Sequence, residues 1–89
     1  MAAVCIPSLL RDFTGGAERV AATGRTLRQV IGNLEAAYPG LRERLVDEGR
    51  DTVHPAFIVV IDGDTGHLGL LQPVGEDSEI VFVPAVSGG

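Results

Sequence analysis

Leu27, Val30, Ile31, Leu34 and Tyr38 recur at intervals of three and four residues, which lays one apolar stripe along a 3.6-residue period. That stripe predicts a helix. Thr26 opens it, with Gln29 three residues on in the spacing of a capping box, and Pro39-Gly40 closes it because proline cannot continue a helix. A helix with one apolar face must bury that face against something, and the rest of the chain offers mainly short strands. Ala2–Ile6 reads as a strand that Pro7 stops, and Glu18–Ala22 as its hairpin partner beyond the turn at Thr14-Gly15-Gly16. Pro55 introduces Ala56–Ile61, whose apolar residues on both faces predict a central strand. His67–Leu71 reads as a weak edge segment and Glu79–Val83 as a strong strand ended by Pro84. Leu41–Val46 suits a short helical turn, and the polar stretch from Asp47 to His54 reads as a mobile loop.

The order is hairpin, helix, then further strands, with the last strand expected beside the first. It predicts an α+β fold of the β-grasp (ubiquitin-like) layout, a mixed sheet packed on one main helix. Val4, Ile6, Val20, Leu27, Val30, Ile31, Leu34, Ile80 and Phe82 are its expected core. The 89 residues suffice for one domain, expected over 1–83, followed by a flexible tail over 84–89, and 45% apolar content is ample for a core.

Net charge is −5, which argues against nucleic-acid binding, since phosphates demand a basic stripe. All seven bases are arginine; codon bias accounts for that most simply. Cys5 is the only cysteine, too few for an internal disulfide or for a cluster that needs four thiolates. It reads as a passive strand residue, with a sulfur relay as the sharper alternative. His54 and His67 are not at a zinc spacing, and Asp62-Gly63-Asp64 and Gly75-Glu76-Asp77 lack the remaining ligands of a calcium loop, so no metal site is expected. No apolar run reaches membrane-span length and Met1–Leu10 lacks the features of a signal peptide, so a cytoplasmic protein without membrane contact is expected.

The chemistry sits at the end. After Pro84 come Ala85, Val86, Ser87, Gly88 and Gly89. Two residues without Cβ let a backbone pass through a narrow channel and present a carboxylate with little bulk. A terminal Gly-Gly arises by chance in on the order of 2% of chains this rich in glycine. Alone it is only suggestive; joined to small size, this element order and a strand-Pro-tail ending, it is strong.

Ile6-Pro7-Ser8-Leu9-Leu10-Arg11 with Thr14-Gly15-Gly16, the helix through Leu34-Glu35-Ala36-Ala37-Tyr38, and the ending Pro84–Gly89 together resemble the ubiquitin-like sulfur carriers of the ThiS/MoaD family, most of all the CysO-type carriers of bacterial cysteine biosynthesis. The segment Asp62–Pro73 departs from that type in length and sequence. The resemblance implies a carrier rather than an enzyme, with no bound cofactor and monomeric when free. An adenylating enzyme of the ubiquitin-activating type would spend ATP to activate Gly89, a sulfur donor would convert it to a thiocarboxylate, and an acceptor enzyme would take the sulfur. The acceptor pathway stays open among cysteine, thiosugar, thiamine, siderophore and molybdopterin types. So do a protein modifier forming isopeptide bonds through Gly89, a small subunit of molybdopterin synthase, and a plain structural domain. The absence of lysine is compatible with an activated acyl group, which amines attack. Val81 and Val83, expected to face outward on the strand that feeds the tail, are the expected docking surface.

Overall fold

The computed structural model describes residues 1–66 and 68–85. Strands β1 (Ala2–Cys5) and β2 (Arg19–Ala22) form an antiparallel pair, and helix α1 (Leu27–Ala37) follows. A short helix α2 (Leu41–Leu45) leads into β3 (Val46–Asp47), β4 (Thr52–Val53), β5 (Phe57–Ile61) and β6 (Glu79–Pro84). The main sheet has the order β2-β1-β6-β5, with β6 parallel to β1 and antiparallel to β5. This is the expected mixed sheet under one main helix, a β-grasp fold.

The core follows from the two periodicities. Val4 and Ile6 from the first strand region, Leu27, Val30, Ile31 and Leu34 from α1, and Ile80 and Phe82 from β6 are all buried. Val20 is only half-buried against them, because β2 is an edge strand. Phe82 meets Phe57 edge to face, with centroids 6.4 Å apart, a favoured aromatic geometry. The cap of α1 is nearly as expected: the Thr26 hydroxyl accepts from the Gln29 N–H at 3.3 Å. The return bond differs, since Gln29 Oε1 takes the N–H of Arg25, one residue earlier than a capping box requires. Glu35 links the two helices by accepting from the N–H groups of Gly40 and Arg42.

Three expectations need correcting. Ala56–Ile61 is not a central strand, because β5 lies at the sheet edge and leaves Ile58 exposed. Residues 47–54 are not simply a loop: β3 and β4 pair there, and Asp51 forms a double hydrogen bond with Arg28 of α1 at 2.7 Å. Gly69–Leu71 is a 3-10 turn with Leu70 buried, not an edge strand. A second 3-10 segment, Ser8–Thr14, fills the connection from β1 to β2.

Candidate functional site

The route to the chain's end is β6. Its pairing with β5 is fixed at both ends, by the Asp62 N–H on the Glu79 carbonyl at 2.9 Å and the Ala85 N–H on the Ala56 carbonyl at 2.8 Å. Between these, alternate residues of β6 turn their backbone groups toward β5, so those of Ile80, Phe82 and Pro84 face the other way. On that side β1 accompanies β6 only from Glu79 to Val81. Pro84 therefore sits in the strand, opposite Phe57, with its missing N–H directed where β1 no longer runs. The strand includes Pro84 as its last residue, and Ala85 is still tied to Ala56.

Of the residues expected to carry the chemistry, Pro84 and Ala85 are thus placed at the root of the tail. Val86, Ser87, Gly88 and Gly89 lie outside the described residues.

Val81 and Val83 point away from the core, as the alternation requires: Val83 is 41% exposed and Val81 half-buried. The residues opposite them on β5 are Val60 and Ile58, and Ile58 is 48% exposed. These four side chains form an apolar strip on the outer sheet face beside the tail root. Ile58 is the member that the sequence reading missed. Its signal was present in the alternation of Phe57–Ile61, but its meaning depended on knowing that the strand is paired with β6. On the same outer face, Cys5 lies between Arg19 and Val81, half-buried, and Arg19 reaches Glu79 at 2.6 Å across β1.

The other polar candidates are engaged within the fold. Asp62 accepts from the Ser78 hydroxyl at 2.7 Å and the Glu79 N–H at 2.9 Å, and these two bonds hold its carboxyl below the usual range. Asp64 accepts from the Gly66 N–H. The His54 Nδ1 accepts from the Ala56 N–H at 3.0 Å, shaping the entry to β5. His67 lies outside the described residues. Among the described residues no group of three or more His, Cys, Asp or Glu side chains could hold a metal ion, and no helix is long and apolar enough to cross a membrane.

The profile of the ThiS family matches residues 4–89, from the first strand through the last glycine. The chain belongs to the ThiS family. It is 40% identical to the sulfur carrier protein CysO of Mycobacterium tuberculosis, over 97% of this chain and 96% of that one. The crystal structure of M. tuberculosis CysO, described as an antigen, superposes with a TM-score of 0.90 at 34% identity, covering 97% of this chain and all of that one. The Amycolatopsis orientalis BexX/CysO complex gives a TM-score of 0.90 at 32% identity, with both chains fully covered. The solution structure of small archaeal modifier protein 1 from Methanosarcina acetivorans gives 0.78 at 25%, covering 99% and 95%. This ThiS-family chain is a homologue of the CysO sulfur carriers and is a sulfur carrier protein.

Proposed function

We propose that this ThiS-family protein carries sulfur as a thiocarboxylate on Gly89. In the first step the Gly89 carboxylate attacks the α-phosphorus of ATP on an activating enzyme, giving an acyl-adenylate and releasing pyrophosphate. Sulfide then adds to the acyl carbon and AMP departs with loss of a proton, leaving –C(=O)S⁻. An acceptor enzyme of a biosynthetic pathway bonds that sulfur to its own substrate, and water then cleaves the acyl–substrate bond to restore the carboxylate. The chain's own residues bind and present; the catalysis belongs to the partners.

The observation that carries this reading is the anchoring of the tail root. Ala85 is fixed by its N–H to the Ala56 carbonyl, just ahead of β5, and four residues follow it in this sequence. At up to about 3.5 Å each they reach roughly 14 Å from a rigid sheet, enough to enter a partner's active site while the domain stays outside. The apolar strip of Ile58, Val60, Val81 and Val83 lies beside that root, where an enzyme that takes the tail would rest. The complex of the related A. orientalis CysO with BexX is a precedent for such assembly.

The test is ATP–pyrophosphate exchange with the purified activating enzyme, followed by mass measurement after a sulfur donor is supplied. The intact chain exchanges pyrophosphate and replaces one oxygen by sulfur; a chain lacking Gly89 does neither. Equal exchange by both chains would end the proposal.

The likeness to a small archaeal modifier protein favours one second reading, in which the activated Gly89 is passed to a lysine of a target protein. Conjugates of higher mass in the cell, abolished by removing Gly89, would support it.

A further inference from the structure

A groove of about 560 Å³ opens beside Ala56 and Phe57, at the start of β5. Leu9, Asp12 and Phe13 of the 3-10 segment form one wall, and Arg44 of α2, His54 and Ala56 contribute to the rest. Ala56 is the residue whose carbonyl holds Ala85, so the groove is continuous with the tail root.

Two features of the groove have no internal purpose. Leu9 is 76% exposed at its edge, while its neighbour Leu10 supplies the buried anchor of the segment. Arg44 is the second. Among the described residues Arg11, Arg19, Arg28, Arg42 and Arg50 each lie within 4.0 Å of a carboxylate, and Arg44 and Arg25 do not. Arg44 is instead held over the Phe13 ring, 5.7 Å from its centroid, a cation–π geometry that keeps the guanidinium edge available to an anion. Phe13 is itself packed close to Gly40. A Cβ at Gly40, where φ is 102°, would stand 2.7 Å from Phe13 Cε1, so the ring lies directly against bare backbone.

Resting on the carrier reading above, we propose that this groove is a docking surface for the activating enzyme, distinct from the apolar strip on the sheet. It accepts a partner segment that places an apolar side chain on Leu9 and Phe13 and a carboxylate on Arg44. Charge argues for that chemistry. In a chain of net charge −5 whose other arginines are mostly paired, a cation without a carboxylate partner among the described residues, set beside an apolar wall, selects for an acid at one defined point. Asp12 on the Leu9 wall lies within 4.0 Å of no cationic side chain among the described residues and would repel that acid, which restricts its approach to the Arg44 side.

The experiment compares Arg44→Glu, Leu9→Asp and Arg25→Glu with the wild-type chain in pyrophosphate exchange at varied carrier and salt concentrations. Thermal melting checks each fold. Arg25 lines a separate pocket with Met1 and Glu76, so its reversal changes net charge equally without touching the groove. Arg44→Glu and Leu9→Asp each raise KM for the carrier about tenfold with kcat within about twofold, and the wild-type KM rises with salt more steeply than that of Arg44→Glu. Arg25→Glu stays within about twofold of wild type. KM values unchanged in both groove variants would overturn the proposal, and so would an Arg25→Glu effect as large as that of Arg44→Glu. A wild-type chain that supports no exchange at all would instead refute the carrier reading itself.

Discussion

At the scale of single residues, Gly24 lies so close to α1 that any side chain would collide with it. A Cβ there would stand 2.7 Å from the backbone nitrogen of Val30 and 2.8 Å from its Cγ2, at a φ of 151° that L residues rarely adopt. Gly24→Ala should therefore cost about 1–3 kcal/mol, read as a lower denaturant midpoint with unchanged slope. Three carboxylates make a second residue-scale prediction. The N–H groups of Arg42 and then Gly40 hold Glu35 below its usual range, the Arg28 guanidinium does so for Asp51, and the Ser78 hydroxyl does so for Asp62. A depressed folded pKa stabilises fully above the unfolded value and is lost as pH falls through the folded one. The melting temperature should thus drop as pH is lowered from about 5 through about 3. Glu35→Gln should flatten that drop; a slope identical to wild type would show that Glu35 does not contribute.

Among the elements, α1 depends on its N-terminal cap. Thr26→Ala removes the acceptor for the Gln29 N–H and should cost about 1 kcal/mol of stability, measured by urea denaturation. The helix, β1, β2 and β6 are legible in the sequence because their signals are local: a 3.6 or 2.0 period bounded by Pro7, Pro39-Gly40 and Pro84. What fails is non-local. Ile58 and Val60 make β5 look buried on both faces, and only its pairing with β6 alone reveals an edge strand with an outward apolar strip. Strands β3 and β4 have two residues each, too few for any alternation to show. Leu68-Gly69-Leu70-Leu71 is apolar enough for a strand, yet its one buried side chain, Leu70, serves a 3-10 turn equally well. The outward direction of Val81 and Val83 is legible from period two, whereas the groove is not, since it joins residues 9–13, 44 and 54–57 through the tertiary fold.

For the whole molecule, the decisive contrast is between surface and terminus. Replacing Val81 and Val83 together by Asp should raise the activating enzyme's KM for the carrier by about tenfold or more while the domain stays folded, because both face outward. Unchanged kinetics would remove the sheet face from the docking surface. Deleting Gly89 should instead abolish adenylation, since the new terminus falls short by up to about 3.5 Å and reaction geometry tolerates far less. Melting should hardly shift, because the deletion removes none of the buried core side chains.

The position of β6 in the sheet bears on how the protein is made. The last strand of this domain to leave a ribosome is one of its two central strands, and it is flanked by the first strand, β1. Until residues 79–84 emerge, the apolar faces of β1 and β2 lack the side chains of Ile80 and Phe82 that complete the core. Such late, long-range pairing makes folding wait until β6 has been made. A nascent chain cut short before β6 would lack both the middle of its sheet and the segment that leads to Gly89. It would stay unfolded and open to proteolysis, so that the pool of folded domains contains few chains without a tail to offer.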